Sequence, residues 1–228
     1  MWWFVACAEV ERVPVARAPP AEDAVPRGAL SLRFPLVERE LFEQLVGVDH
    51  DPDVYGEGAA GIQCTSYDGR AFPWCYDEHD GSDYLLVGGF ETMDAGSATI
   101  VAAAPGVVVE TVDGNYDRCS ATVEGVDCDG YPMVGNAVIV EHAGGWRTLY
   151  WHLMNGSVAV EPGDTVACGD MLGLVGSSGY SSMPHLHFEL ESPDGATVDP
   201  YAGPYSQPET WWVDQGDAEG LPGGDCAK

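Results

Sequence analysis

The stretch SSMPHLHFEL, Ser181 to Leu190, sets His185 and His187 one residue apart within an apolar run. On a strand, side chains at i and i+2 leave the same face, so both imidazoles enter one space while Leu186 and Phe188 point the other way. Imidazoles that share a space can hold a metal ion or move a proton. Catalytic zinc needs three protein ligands and an open position for water, so the rest of the chain has to complete such a site. The other histidines are His50, His79, His142 and His152.

The sequence EHDGSDY supplies a second pair, His79 and Asp83, spaced H-x-x-x-D. On an extended strand these residues would lie ~13 Å apart, too far for ligand bonds of ~2 Å to one ion. The segment must therefore bend, and Gly81 between them permits it. His152 falls on a strand pattern, TLYWHL, that places Thr148, Tyr150 and His152 on one face. His142 ends the run NAVIVEH and reads as a residue that packs or hydrogen-bonds beside the site, and His50, between aspartates and before a proline, reads as a turn residue. No H-E-x-x-H occurs, so the zinc motif of that metalloprotease class is absent.

These residues need a scaffold, and the pattern from residue 98 onward is β. ATIVAAAPGVVVETV has two apolar runs broken at Pro105-Gly106, and NAVIVEH joins WRTLYWHL through Ala143-Gly144-Gly145, a hairpin signal. EPGDTVACGDMLGLVGSSG repeats glycine at turn positions, and HLHFELES closes the sheet. Upstream, LVERELFEQLVGV, Leu36 to Val48, carries Leu36, Leu41, Leu45 and Val46 near helical spacing and is expected to form one short helix packed on the domain. Residues 8 to about 30 mix proline, alanine and charge without periodicity, as a disordered tether would. Trp211-Trp212 reads as a hydrophobic anchor for the tail, with stacking on sugar as the other use of such a pair.

Composition sets the surroundings. Asp+Glu number 37 against Lys+Arg 9, a formal net charge of −28, which repels nucleic acid and points to a strongly solvated surface and activity at high salt. The acidic runs Asp51–Asp53 and Asp127–Gly130 lack the full spacing of a calcium loop. The seven cysteines include no C-x-x-C pair, so disulfides in an oxidising compartment are expected in place of a structural zinc site. Cys7 stands apart: VAC ends a short apolar stretch like the tail of a lipoprotein signal, without its basic start, and the alternative is an ordinary buried end. A lipid on Cys7 would be the only membrane attachment, since no run reaches the ~18 to 20 apolar residues of a membrane span. Among the pairings open to the other six, the sequence-local set is expected: Cys64 with Cys75, Cys119 with Cys128, and Cys168 with Cys226.

In order and spacing, HDGSDY, GSATIVAAAPGVV, GNAVIVEH, TLYWHL, the run ending in PHLHFEL, and VDPY resemble the lysostaphin/LytM-type zinc metallopeptidases, peptidoglycan endopeptidases on a β scaffold called the duplicated hybrid motif. The resemblance covers about residues 62–203. It implies a mainly β, antiparallel zinc peptidase domain over 62–203, preceded by a tether (1–30) and an extension packed on the domain (31–61), and followed by a tail (204–228). It further implies one zinc ion held by His79, Asp83 and His187, non-ligand catalytic histidines His152 and His185, and a substrate contact at Asn136. The implied partner is the peptide of bacterial peptidoglycan, met outside the cytoplasm. A non-catalytic member of the same fold, binding the envelope or activating another hydrolase, is the alternative. The segment YLLVGGFETMDA and the loop Asp113 to Met133, with its own cysteine pair, depart from the family pattern and would rim the groove. Sequence leaves open the bond cleaved, the oligomeric state and which of His152 and His185 is the general base.

Overall fold

A computed structural model describes residues 30–51, 63–216 and 221–228. Cys7, the expected tether as far as residue 29 and the end of the acidic run Asp51–Asp53 lie outside the described residues. The strands are β1 (Phe42–Val46), β2 (Ser82–Leu86), β3 (Thr99–Val101), β4 (Gly106–Val112), β5 (Ser120–Thr122), β6 (Gly125–Asp127), β7 (Ala137–Glu141), β8 (Arg147–Trp151), β9 (Thr165–Val166), β10 (Met171–Leu174), β11 (His185–Glu191) and β12 (Thr197–Val198). One short helix, α1 (Phe90–Asp94), follows β2. The main sheet runs β1-β2-β11-β8-β7-β4-β9, with β12 on the end of β11, and every pairing is antiparallel. The mainly β architecture is thus the expected one. Among the described residues no helix is long and apolar enough to cross a membrane.

The helix expected over Leu36–Val48 is not formed. A 3-10 turn at Arg39–Leu41 leads straight into β1, which pairs with β2. A register shift between Glu43 and Leu45 lets the consecutive residues Leu45 and Val46 both become buried, so the apolar spacing imitates a helix. The segment before it enters the core in extended alternation, with Leu32, Phe34 and Leu36 fully buried. Leu32 bridges to Trp212, which packs on Phe188 and Tyr201. The tryptophan pair is therefore an internal anchor, buried in the core.

The sheet's centre is β11, flanked by β2 and β8. Leu186, Phe188 and Leu190 face the core and are fully buried, a contribution on the order of 5–9 kcal/mol for the set. His185, His187 and Glu189 take the opposite face. A one-residue slip would exchange these sets and bury ionisable groups in the core, so the register is firmly fixed. The β7–β8 hairpin turns at Gly144 and Gly145, both at φ 83°, a backbone region that glycine enters without steric cost.

The sequence-local disulfides are formed: Cys64–Cys75, Cys119–Cys128 and Cys168–Cys226. The second closes the β5–β6 hairpin in the loop after β4, and the third ties the C-terminal segment back to the turn before β10.

Candidate metal centre

Asp83 on β2 and His187 on β11 are direct register partners. Their side chains leave the same face, and Asp83 Oδ1 lies 2.8 Å from His187 Nδ1. The bend expected between His79 and Asp83 is present: His79 sits in a turn with its N–H on Tyr76 O, and β2 begins only at Ser82. His79 Nε2 thereby reaches to 3.2 Å from both Asp83 Oδ1 and His187 Nδ1. Gly81 does more than permit a bend. A Cβ there would come within 2.6 Å of the His187 ring, so the backbone's close approach is what seats that ring.

The mutual spacing of the three donor atoms suits zinc. With bonds of ~2.0–2.1 Å, tetrahedral ligands stand about 3.3 Å apart, close to the separations seen here. The outward hydrogen bonds fit as well. His79 Nδ1 donates to the Gly47 carbonyl at 2.7 Å, which leaves Nε2 as the lone-pair donor to an ion. His187 presents Nδ1 inward while Nε2 faces the carboxylates of Asp80 and Glu189. Burial would raise the Asp83 carboxyl, but the charges of His79 and His185 and the hydrogen bonds from His187 and His79 hold it well below the ordinary range. Burial likewise works against a charged His187, yet Asp80, Asp83 and Glu189 push it well above its ordinary value. The centre of this cluster is built to receive positive charge.

Beside it stand His185 and His152, their ring centroids 4.6 Å apart. His185 Nδ1 donates to Met183 O at 2.7 Å, and His152 Nδ1 donates to Ser178 O at 2.7 Å. Carbonyls only accept, so in each neutral ring the other nitrogen, Nε2, is the basic one. His185 Nε2 is buried without a hydrogen-bond partner and points at the cluster, 3.6 Å from Asp83 Oδ1. Burial, and then the other imidazoles, hold His152 well below its ordinary value; burial lowers His185 too, opposed by Asp83.

His152 arrives by an unexpected route. Tyr150 points into the core and its hydroxyl accepts the Ala103 N–H, so the expected shared face of Thr148, Tyr150 and His152 is wrong for His152. The strand ends at Trp151, and His152 adopts φ 66°, a left-handed conformation that returns its ring to the site face. Such strain costs on the order of 1–3 kcal/mol and persists where surrounding bonds impose it. Here they are the Ser178 carbonyl on Nδ1 and the bond from Gly176 N–H to the His152 carbonyl.

The other singled-out residues lie apart. Asn136 is fully buried, its amide donating to Asn115 O and Leu153 O while its Oδ1 accepts the Asn115 N–H, so its side chain braces backbone. His142 bonds Pro105 O and Thr148, and His50 bonds Asp199 at 2.7 Å. Neither touches the cluster. Sequence reading passed over Asp80 and Glu189. The alternation that paired His185 with His187 also puts Glu189 on their face, whereas Asp80 carries no such signal.

Residues 88–200 match the model of Peptidase family M23. The match takes in Asn136, His152, His185 and His187 and stops short of His79 and Asp83; the pairing of β2 with β11 brings Asp83 to it, and the turn before β2 brings His79. DD-carboxypeptidase/endopeptidase Mpg of Neisseria meningitidis serogroup B (strain ATCC 13091 / M2091) is 40% identical over 81 residues, 36% of this chain and 18% of that protein. Peptidoglycan DD-endopeptidase ShyA of Vibrio cholerae is 38% identical over 60 residues, 26% of this chain and 14% of that protein. The chain thus spans less than a fifth of either curated relative. A chain in the crystal structure of the SpoIIIAH and SpoIIQ complex is 27% identical, with 75% of this chain and 97% of that one covered and a TM-score of 0.48.

Proposed function

Residues 88–200 form a domain of peptidase family M23, and from that premise we propose that the chain is a zinc-dependent endopeptidase. Its substrates would be the peptide stems or cross-bridges of bacterial peptidoglycan, met outside the cytoplasm. The observation that carries this reading is the convergence of His79, Asp83 and His187 on one point, with the basic Nε2 of His185 buried beside them. The peptidoglycan substrate is supported by the likeness to ShyA, a protein named for that activity.

His79, Asp83 and His187 would hold one zinc ion. When bound, it supplies polarisation of a scissile carbonyl and lowers the pKa of a coordinated water to ~7. The protein's own part is proton traffic. His185 Nε2, buried beside the ligand set without a hydrogen-bond partner, is placed to accept a proton. His152 and His185 disfavour each other's charge, so the pair does not carry two protons at once. A proton gained at one ring is thus poised for delivery to the leaving amine. Asn136 serves by holding Asn115 and Leu153 together, which shapes the wall beside His152.

His185→Ala and His152→Ala chains should each bind one zinc ion and release amine termini from cross-linked peptidoglycan at least ~100-fold more slowly than the parent. Undiminished release in both would refute the assignment. Zinc bound and no release even by the parent chain would move the weight to the non-catalytic alternative.

A further inference from the structure

His187 has close partners outside the cluster as well as within it. Its Nε2 lies 3.4 Å from Asp80 Oδ1 and 3.3 Å from Glu189 Oε1. A neutral imidazole with Nδ1 turned to an ion has a single N–H, and one acceptor suffices to fix that tautomer. This chain places two carboxylates there. Glu189 is buried on the same strand face as His187, and Asp80 comes from the bend before β2, with its side chain 38% exposed. Gly81, next to Asp80, closes the contact by letting the backbone touch the ring.

Asp80, His187 and Glu189 are also close enough together to hold an ion themselves. That ion would need the nitrogen that carries the proton, and His187 would have to become an anion shared by two metals. Hydrogen bonding to the N–H satisfies the same three groups without that cost. Anionic acceptors draw the N–H proton away from the ring, which raises electron density at Nδ1 and makes it the stronger metal donor. They also add negative charge close to the ion.

We propose that Asp80 and Glu189 act jointly as positioning residues for His187 and set how tightly this chain holds zinc. This rests on reading His79, Asp83 and His187 as the zinc site. Loss of one such partner typically costs 10- to 100-fold in metal affinity.

The test is the zinc dissociation constant, measured by competition with a chelating dye. It is determined for the parent chain and for Asp80→Asn, Glu189→Gln and the double variant, with thermal unfolding of each metal-free chain alongside. The expected result is a rise of about tenfold or more in each single variant and a larger rise in the double. The ligand-field spectrum of the cobalt-substituted protein should shift as well, which a purely structural role would not produce. Should Glu189→Gln fail to fold, the exposed Asp80→Asn substitution still carries the test. Dissociation constants within about twofold across parent and double variant would overturn the proposal while leaving the zinc site intact. A parent chain that takes up no zinc would overturn the site itself.

Discussion

Asp83 and His187 face each other across β2 and β11, Oδ1 to Nδ1 at 2.8 Å, although 104 residues separate them in sequence. The antiparallel register alone makes this meeting. Because Leu186, Phe188 and Leu190 lock β11 into the core, the opposite face is equally fixed, and the pairing of Asp83 with His187 inherits the rigidity of the sheet.

The seat of His187 depends on a missing side chain. Gly81→Ala would put a Cβ within 2.6 Å of the ring and 2.9 Å of Phe188 O, and the backbone oxygen has little room to retreat. Zinc affinity should fall at least ~10-fold, with stability lower by about 1–3 kcal/mol. Zinc titration and chemical unfolding read both, and parental values in each would show that the ring is not confined there.

At His152 the strained backbone and the chemistry can be separated. Asn tolerates φ near 60° better than most residues, so His152→Asn should keep or slightly improve stability while turnover drops by ~10² or more. Thermal unfolding and a peptidoglycan assay on the same preparation test this. A marked loss of stability would mean that the His152 ring, not the conformation, decides the fold at that point.

His142 predicts a pH effect away from the metal. Burial lowers its pKa, against the opposing Pro105 hydrogen bond and Glu141 charge. Kept neutral, it donates from Nδ1 to Pro105 O and accepts the Thr148 hydroxyl at Nε2. Its folded pKa lies below its unfolded one, so the unfolded chain takes the proton first. The stability from this residue is complete above about pH 6.5 and shrinks as pH falls toward the folded value. His142→Gln keeps a donor and an acceptor without titrating. Denaturant unfolding at pH 7, 6 and 5 should show a flatter dependence in the variant, and parallel curves would contradict the assignment.

The Cys119–Cys128 hairpin braces the residues that orient His152 and His185. Cys119 N–H donates to Ser177 O, the Ser177 hydroxyl donates to Cys119 O, and Ala121 N–H donates to Ser182 O. The segment so held contains Ser178, whose carbonyl fixes His152, and leads to Met183, whose carbonyl fixes His185. A Cys119→Ser/Cys128→Ser chain should lose several-fold or more in turnover while its zinc affinity stays within about twofold. A parallel fall in both would mean that the hairpin supports the metal ligands as well.

Much of this site can be read from the sequence because its logic is local. A two-residue period puts His185 and His187 on one face whatever the fold, and cysteines 9 and 11 residues apart close hairpins or short loops of their own. Failure came where the backbone breaks its own period. The register shift in β1 let Leu41, Leu45 and Val46 imitate a helix, and the left-handed turn at His152 moved its ring to the opposite face from the one alternation assigns. Asp80 was invisible for a third reason: it reaches His187 only through a bend whose shape depends on β2 already being paired with β11.

Mass spectrometry of purified peptidoglycans of several cross-link types, after incubation with the zinc-loaded chain and with a chelator-treated control, tests the account most directly. New amine termini that appear only without chelator are the predicted result, and their masses identify the bond. Intact cross-links in every substrate, with one zinc ion confirmed per chain, would contradict the endopeptidase reading.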